Sequence, residues 1–208
     1  MTTASANKMK LPVAPEELEF FAEEEPITII PSFQLRHNTS GMLSCVGGDY
    51  GPFRPNMPVE VPIWLALQLH KRGKCRILPP AWLDAARLQA LITAEQSDVD
   101  SFQEVPFYFM EVCCLLFESA KDAFGDSFFK VRDLLQRFVN IRRHKIEEGL
   151  RLVSQASTIR LTNLSAYEAN LIRLNLQGSL NMFLKFSKVE LMLESRAASM
   201  PTMPTPGF

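Results

Sequence analysis

The residues of this chain with the types and spacing that could do chemistry fall into three groups, and each lacks a component that its chemistry requires. Gly47-Gly48-Asp49-Tyr50-Gly51 has the glycine density of a phosphate cradle, in which backbone N–H groups approach an anion. No Lys-Ser or Lys-Thr follows it, no helix opens for a dozen residues, and Asp49 would repel phosphate. A tight turn with left-handed glycines is the favoured reading. His37, His70 and His144 lie far apart, and none has a second ligand-type residue three or four positions on along an apolar face, so a metal site is not suggested. Cys45, Cys75, Cys113 and Cys114 show no C-x-x-C spacing; two are adjacent, which argues against a zinc ribbon or a disulfide framework and fits a reducing, intracellular setting. Cys113 and Cys114 read as small hydrophobes. No nucleophile is paired locally with a base, although a triad assembled by the fold leaves no local signature.

The run Arg142-Arg143-His144-Lys145 is the third group. With Lys130, Arg132, Arg137 and Arg151 it places seven cations against four carboxylates between Asp126 and Ser157, a local charge of +3. Arg142, Arg143 and Lys145 are therefore the candidate basic surface, able to meet phosphates or an acidic partner. The favoured reading is a solvated helix face on which Glu147 and Glu148 offset the charge. The whole chain of 208 residues carries only −1, so no global field drives it onto nucleic acid or membrane.

The elements that must position these residues follow from pattern. Pro15 opens a short amphipathic helix through Leu18, Phe20 and Phe21, which Pro26 ends. Ile27–Ile30 is a β-branched strand; Phe33 and Leu35 alternate with polar residues, and Met42–Val46 reads as a further strand before the glycine turn. Met57–Val61 is a strand that Pro58 and Pro62 confine to an edge or to strand ends. Trp64 begins a helix that stops near Gly73, Cys75–Leu78 is extended, and Pro80 begins a helix carrying Trp82, Leu83, Leu88 and Ile92 that fades into a loop over Glu95–Ser101. Trp64 and Trp82 read as core anchors. Pro106 starts a buried helix through Phe109 and Phe117. The helix from Asp126 to Ser157 has its apolar stripe at Phe128, Val131, Leu135, Phe138 and Ile146.

Ser165-Ala166-Tyr167-Glu168 is a capping box, so the last helix starts there. Its apolar arc is unusually wide: Leu171, Leu174, Gly178, Met182 and Phe186 on one stripe, with Ile172, Leu176 and Phe183 beside it. More apolar surface than one core needs marks these residues as a candidate interface with another chain. The expected fold class is mainly α with a small β-rich N-terminal domain: a polar tail over 1–14, the β-rich domain over 15–62, a helical domain over 63–198 and a Pro-rich tail over 199–208. No apolar run approaches the roughly 20 residues that span a bilayer, and no secretory signal pattern is present. A soluble protein with no membrane role is expected.

Several blocks together resemble Psf2-type subunits of the GINS complex, GINS complex subunit 2, of eukaryotic DNA replication. They are Glu19-Phe20-Phe21-Ala22-Glu23 with Ile27–Pro31, Gly47–Phe53, Pro58–Ala66, Lys74–Leu83, Pro106–Glu111, and Asn163-Leu164 with Glu168-Ala169-Asn170. The resemblance covers about residues 16–190; His37–Gly41 lengthens the first hairpin relative to the family, and the two tails have no counterpart in it. The resemblance implies a small β-domain followed by a helical domain, and no catalytic residue and no cofactor. It further implies a heterotetramer with three sister GINS subunits, which in the nucleus joins the MCM helicase ring and a Cdc-type companion protein as the active replicative helicase. The rival expectation is a nucleic-acid-binding module using the basic helix around Arg142 to Lys145, with DNA contact secondary in the first reading.

Overall fold

In the computed structural model, residues 13–35, 41–45, 47–98, 101–152, 162–173, 176–178 and 185 are described. Helix α1 (Pro15–Ala22) begins on a proline, and the Glu17 carboxylate accepts from the Ala14 amide at 3.1 Å, which satisfies a free N–H ahead of the first turn. Leu18 and Ala22 turn inward, and its outer residues include Phe20 and Phe21.

Strand β1 (Pro26–Pro31) is the centre of a three-stranded antiparallel sheet. Its Ile27 and Ile29 are buried on one face, as period-two alternation of β-branched residues requires. The hairpin β2 (Leu43–Cys45) and β3 (Gly48–Tyr50) stands apart as a two-stranded ribbon. It ends at Gly51, where φ is +132° and a Cβ would lie 3.0 Å from the Gly41 carbonyl, so both torsion and space exclude a side chain. Of the glycine cluster expected as a tight turn, only Gly47 lies in a turn; Gly48–Tyr50 is strand β3 and Gly51 follows it. Strand β4 (Val59–Pro62) is one edge of the main sheet, in register Ile27↔Val61 and Ile29↔Val59, with Pro62 at its end. The other edge is β5 (Cys75–Ile77), paired Ile29↔Ile77. Phe33, expected in a strand, lies in a bend instead and stacks on buried Phe53 at 5.4 Å.

Between the edges, helix α2 (Ile63–Lys71) crosses back over the sheet, and its turn ends at Gly73 with φ +66°. The expected domain boundary at Pro62 is therefore misplaced. The third strand comes after α2, and its three residues are too short for period-two alternation to register in sequence.

A 3-10 turn at Ala81–Leu83 leads into α3 (Ala85–Ser97), whose N-terminus is capped by the Asp84 carboxylate on the Ala86 amide at 3.0 Å. Helix α4 (Phe109–Ser119) and, after a second 3-10 segment, α5 (Phe128–Leu152) complete the bundle, with α3 lying along α5 and α1 against α4. Residues 153–157 of the expected fifth helix lie outside the described residues. Val13–Ala169 form one compact unit. One continuous core runs from Ile29, Phe53 and Ile77 of the sheet side to Leu88, Leu116 and Phe138 of the bundle, with Trp64 and Trp82 half-buried against it. The fold class is mainly α with a small N-terminal sheet. Among the described residues no helix is long and apolar enough to cross a membrane.

Candidate functional site

Helix α5 places Val131, Leu135, Phe138, Arg142 and Ile146 on one face at spacings of three and four, and all five are buried. Arg142 is thus the one cation in an apolar stripe, with 0% of its surface exposed. An unpaired charge there would cost many kcal/mol, so its partners must arrive from other elements. They do. Nε and one terminal nitrogen donate to the two Glu168 oxygens at 2.7 and 2.8 Å, a bidentate pair. The second terminal nitrogen donates to Glu95 Oε2 at 3.3 Å and to the Gln103 carbonyl at 3.0 Å, and the Asn163 carbonyl accepts at 2.8 Å. The guanidinium also lies 4.9 Å from the Phe102 ring centroid.

Lys145, one turn on, completes the set. Its Nζ donates to Glu95 Oε1 at 2.6 Å and to the carbonyls of Glu95, Asp98 and Ser101 at 2.6–2.9 Å. Those carbonyls lie at and beyond the C-terminal turn of α3, where a cation offsets the helix dipole. The network therefore contains two cations and two carboxylates and is neutral as a whole.

Glu168 has a second role. Its oxygen accepts from the Ser165 amide at 2.9 Å while the Ser165 hydroxyl accepts from the Glu168 amide at 3.3 Å, the capping box expected from sequence, and helix begins at residue 166. Burial pushes the Glu168 carboxyl upward, but the Arg142 hydrogen bond and charge, with the Ser165 groups, outweigh it and hold the group below its ordinary 4.5.

The candidate basic surface therefore needs correcting. Arg142 and Lys145 are not solvated: the first is fully buried and the second has every donor engaged. Only Arg143 is exposed, beside the Tyr167 hydroxyl at 3.5 Å, with exposed His144 and Glu148 next to it. The chemistry of the cluster is structural, since neutral pairing leaves no free proton donor or acceptor poised toward a cleft. Glu95, expected in a loop, is in α3 and 0% exposed. Its place at i+3 from Ile92 and i+7 from Leu88 was the signal that the neighbouring polar residues obscured.

Of the candidate interface residues, Ile172 is buried, Leu171 and Leu176 are half-buried and Gly178 is exposed; Leu174, Met182, Phe183 and Phe186 lie outside the described residues. Cys113 is buried and desolvation raises its thiol well above the ordinary range; burial also pushes Cys75 up to about 11. Neither is a ready nucleophile. Among the described residues no three His, Cys, Asp or Glu side chains group as metal ligands.

Comparison with known proteins gives two adjoining matches: residues 14–78 to the PSF2 N-terminal domain and residues 82–186 to the GINS complex protein helical bundle domain. The chain belongs to the PSF2 family of GINS proteins. It is 36% identical over 172 residues to the DNA replication complex GINS protein PSF2 of Xenopus laevis and equally to that of Homo sapiens, covering 81% of this chain and 89% of each relative. The Saccharomyces cerevisiae protein of the same name is 31% identical over 172 residues, 77% of this chain and 80% of the relative. The PSF2 N-terminal match ends one residue after β5, where the sheet closes, rather than at Pro62. The Arg142–Glu95–Glu168 cluster lies wholly in the helical-bundle match.

Two outcomes test the network. Arg142→Met should destabilise the chain by about 3–5 kcal/mol in urea unfolding, because it strands the buried Glu168 carboxylate while Glu95 keeps Lys145, and Arg142→Lys should recover only part of that. Since the folded carboxyl of Glu168 titrates below the unfolded one, its contribution is complete at neutral pH and disappears as pH falls below about 4.5. Unfolding free energy followed from pH 7 to pH 3 should therefore drop more steeply in the wild type than in Glu168→Gln.

Proposed function

We propose that this chain is a non-catalytic structural subunit of a heterotetrameric GINS complex acting in DNA replication. The observation that carries the reading is the pair of family matches, residues 14–78 and 82–186, that run from the N-terminal sheet through the helical bundle, with relatives named as DNA replication complex GINS proteins over most of both chains. Its partners in this reading are three sister GINS subunits, and its place of action is the nucleus. The assembled tetramer joins the MCM helicase ring and its Cdc-type companion protein as the active replicative helicase in initiation and fork progression.

The geometry supports a mechanical role. A buried polar network with its members satisfied fixes the relative positions of the segments it joins, and here it joins α3, the Ser101–Gln103 segment, α5 and the capping-box turn. A block held in this way transmits position between partners instead of converting a substrate. It would bias the motor ring toward one closed form by binding that form better. The wide apolar arc from residue 171 onward is the proposed meeting face with the sister subunits. The nucleic-acid reading loses its main support, because two of its three named cations are consumed internally.

Expressed with the three sister subunits, the chain should elute as one species whose mass by light scattering equals one copy of each. A monodisperse monomer that ignores the other three would overturn the reading. Arg143→Glu reverses the exposed cation of the run and should leave that species intact.

A further inference from the structure

Helix α4 carries a second buried charge that the network does not reach. Glu111, in its first turn, is 6% exposed, and among the described residues neither carboxylate oxygen has a hydrogen-bond partner. Desolvation raises its affinity for a proton; its own backbone N–H opposes this, and the charges of Glu19 and Glu168 add to it. Glu19 stands across the seam where α1 packs on α4. A carboxylate buried near other carboxylates is a cost to the isolated chain, and among the described residues no cation pairs with it to offset that cost.

The surface over this seam is also unusual. Residues 13–25 carry six glutamates and no lysine or arginine. None of the six forms an ion pair among the described residues. In the same helix Phe20 is 66% and Phe21 52% exposed, their rings in edge contact at 5.9 Å. Phe107, one turn before Glu111, is 53% exposed, and its carbonyl accepts from Ala166 at 2.7 Å, which brings Tyr167 alongside. Exposed aromatics beside a run of six unpaired glutamates, with Arg143 and Lys71 at the margins, are the composition of an interface core with a predominantly acidic rim.

We infer that the α1–α4 face is a docking surface for a cationic and apolar surface of a sister subunit, which covers Phe20 and Phe21 and seats an Arg or Lys against Glu19, facing Glu111. The inference rests on the subunit reading above and names the chemistry of one contact in it. The acidic rim repels phosphate, so nucleic acid is not the occupant. A permanent partner fits better than a transient one, because a buried unpaired carboxylate and large exposed aromatics are stable features only in a chain that rarely stands alone.

The test compares Glu111→Gln and Phe20→Ser with wild type, in the free chain and in the tetramer, with the exposed Glu60→Gln as a charge control. Glu111→Gln should raise the thermal midpoint of the free chain, since it removes a desolvated charge, and yet speed dissociation of the tetramer by about tenfold or more, since it removes the partner's counter-charge. Phe20→Ser should leave the free chain's midpoint unchanged and speed dissociation to a similar extent. Because Phe20 is two-thirds exposed, it reports on the surface independently of any effect on folding at Glu111. Wild-type dissociation rates for both variants, in a tetramer that forms normally, would overturn the docking surface alone. A wild-type chain that never joins the sister subunits would overturn the subunit reading itself.

Discussion

The interior position of one guanidinium constrains the rest of the bundle. Arg142 has five N–H groups and finds five acceptors, supplied by Glu168, Glu95, Gln103 and Asn163. These residues lie on four separate stretches of chain, so the pairing is possible only when α3, α5, the Ser101–Gln103 segment and the turn ahead of residue 166 are all in place. Because an arginine does not lose its proton, the site cannot relax by becoming neutral, as a buried lysine or carboxylate can. The alternative to complete pairing is a buried uncompensated charge, and that gap in energy separates the native packing from near-native ones. Asn163, at φ +59°, aims its carbonyl into the site from a left-handed conformation that asparagine tolerates better than most residues.

The sheet end of the molecule is held differently, by area rather than by charge. Ile29 is fully buried and paired on both sides, and the strand pairings β4–β1–β5 enclose α2 as the connection between the two edges. The Ile63 and Trp64 amides donate at 3.0 Å to the Glu25 and Glu23 carbonyls, so the exit of α1 and the entry of α2 are fixed to one another. That arrangement holds α1 against α4 with its glutamates and phenylalanines outward. The two ends thus contribute different things: a rigid interior from the bundle, and from α1 a face whose composition suits another protein.

Local chemistry was legible in the sequence, and long-range pairing was not. The capping box at Ser165 and Glu168 and the proline-limited edge strand at Pro62 each depend on a few adjacent residues, and both are present. Strand β5 shows in sequence only as extended chain, because its partner is more than forty residues earlier. At Glu95 the polar residues that follow point to a loop and outweigh its spacing from Leu88 and Ile92. Charge density alone makes the run from Arg142 to Lys145 a solvated face. Its helical phase says otherwise: position 142 fills the gap between Phe138 and Ile146 in the apolar stripe, so a cation there calls for buried carboxylates elsewhere in the chain. Such a gap is visible in sequence; which carboxylates fill it is decided by the fold.

The measurement that bears most directly on this account is a double-mutant cycle between Arg142 and Glu168, using Arg142→Met, Glu168→Gln and the pair, with unfolding free energies taken in urea at neutral pH. A clamp predicts strong non-additivity, the double variant being less damaged than the sum of the singles by about 2–3 kcal/mol. Additivity within about 0.5 kcal/mol would mean that the two side chains do not depend on each other, and the bundle would then owe its geometry to the apolar core alone.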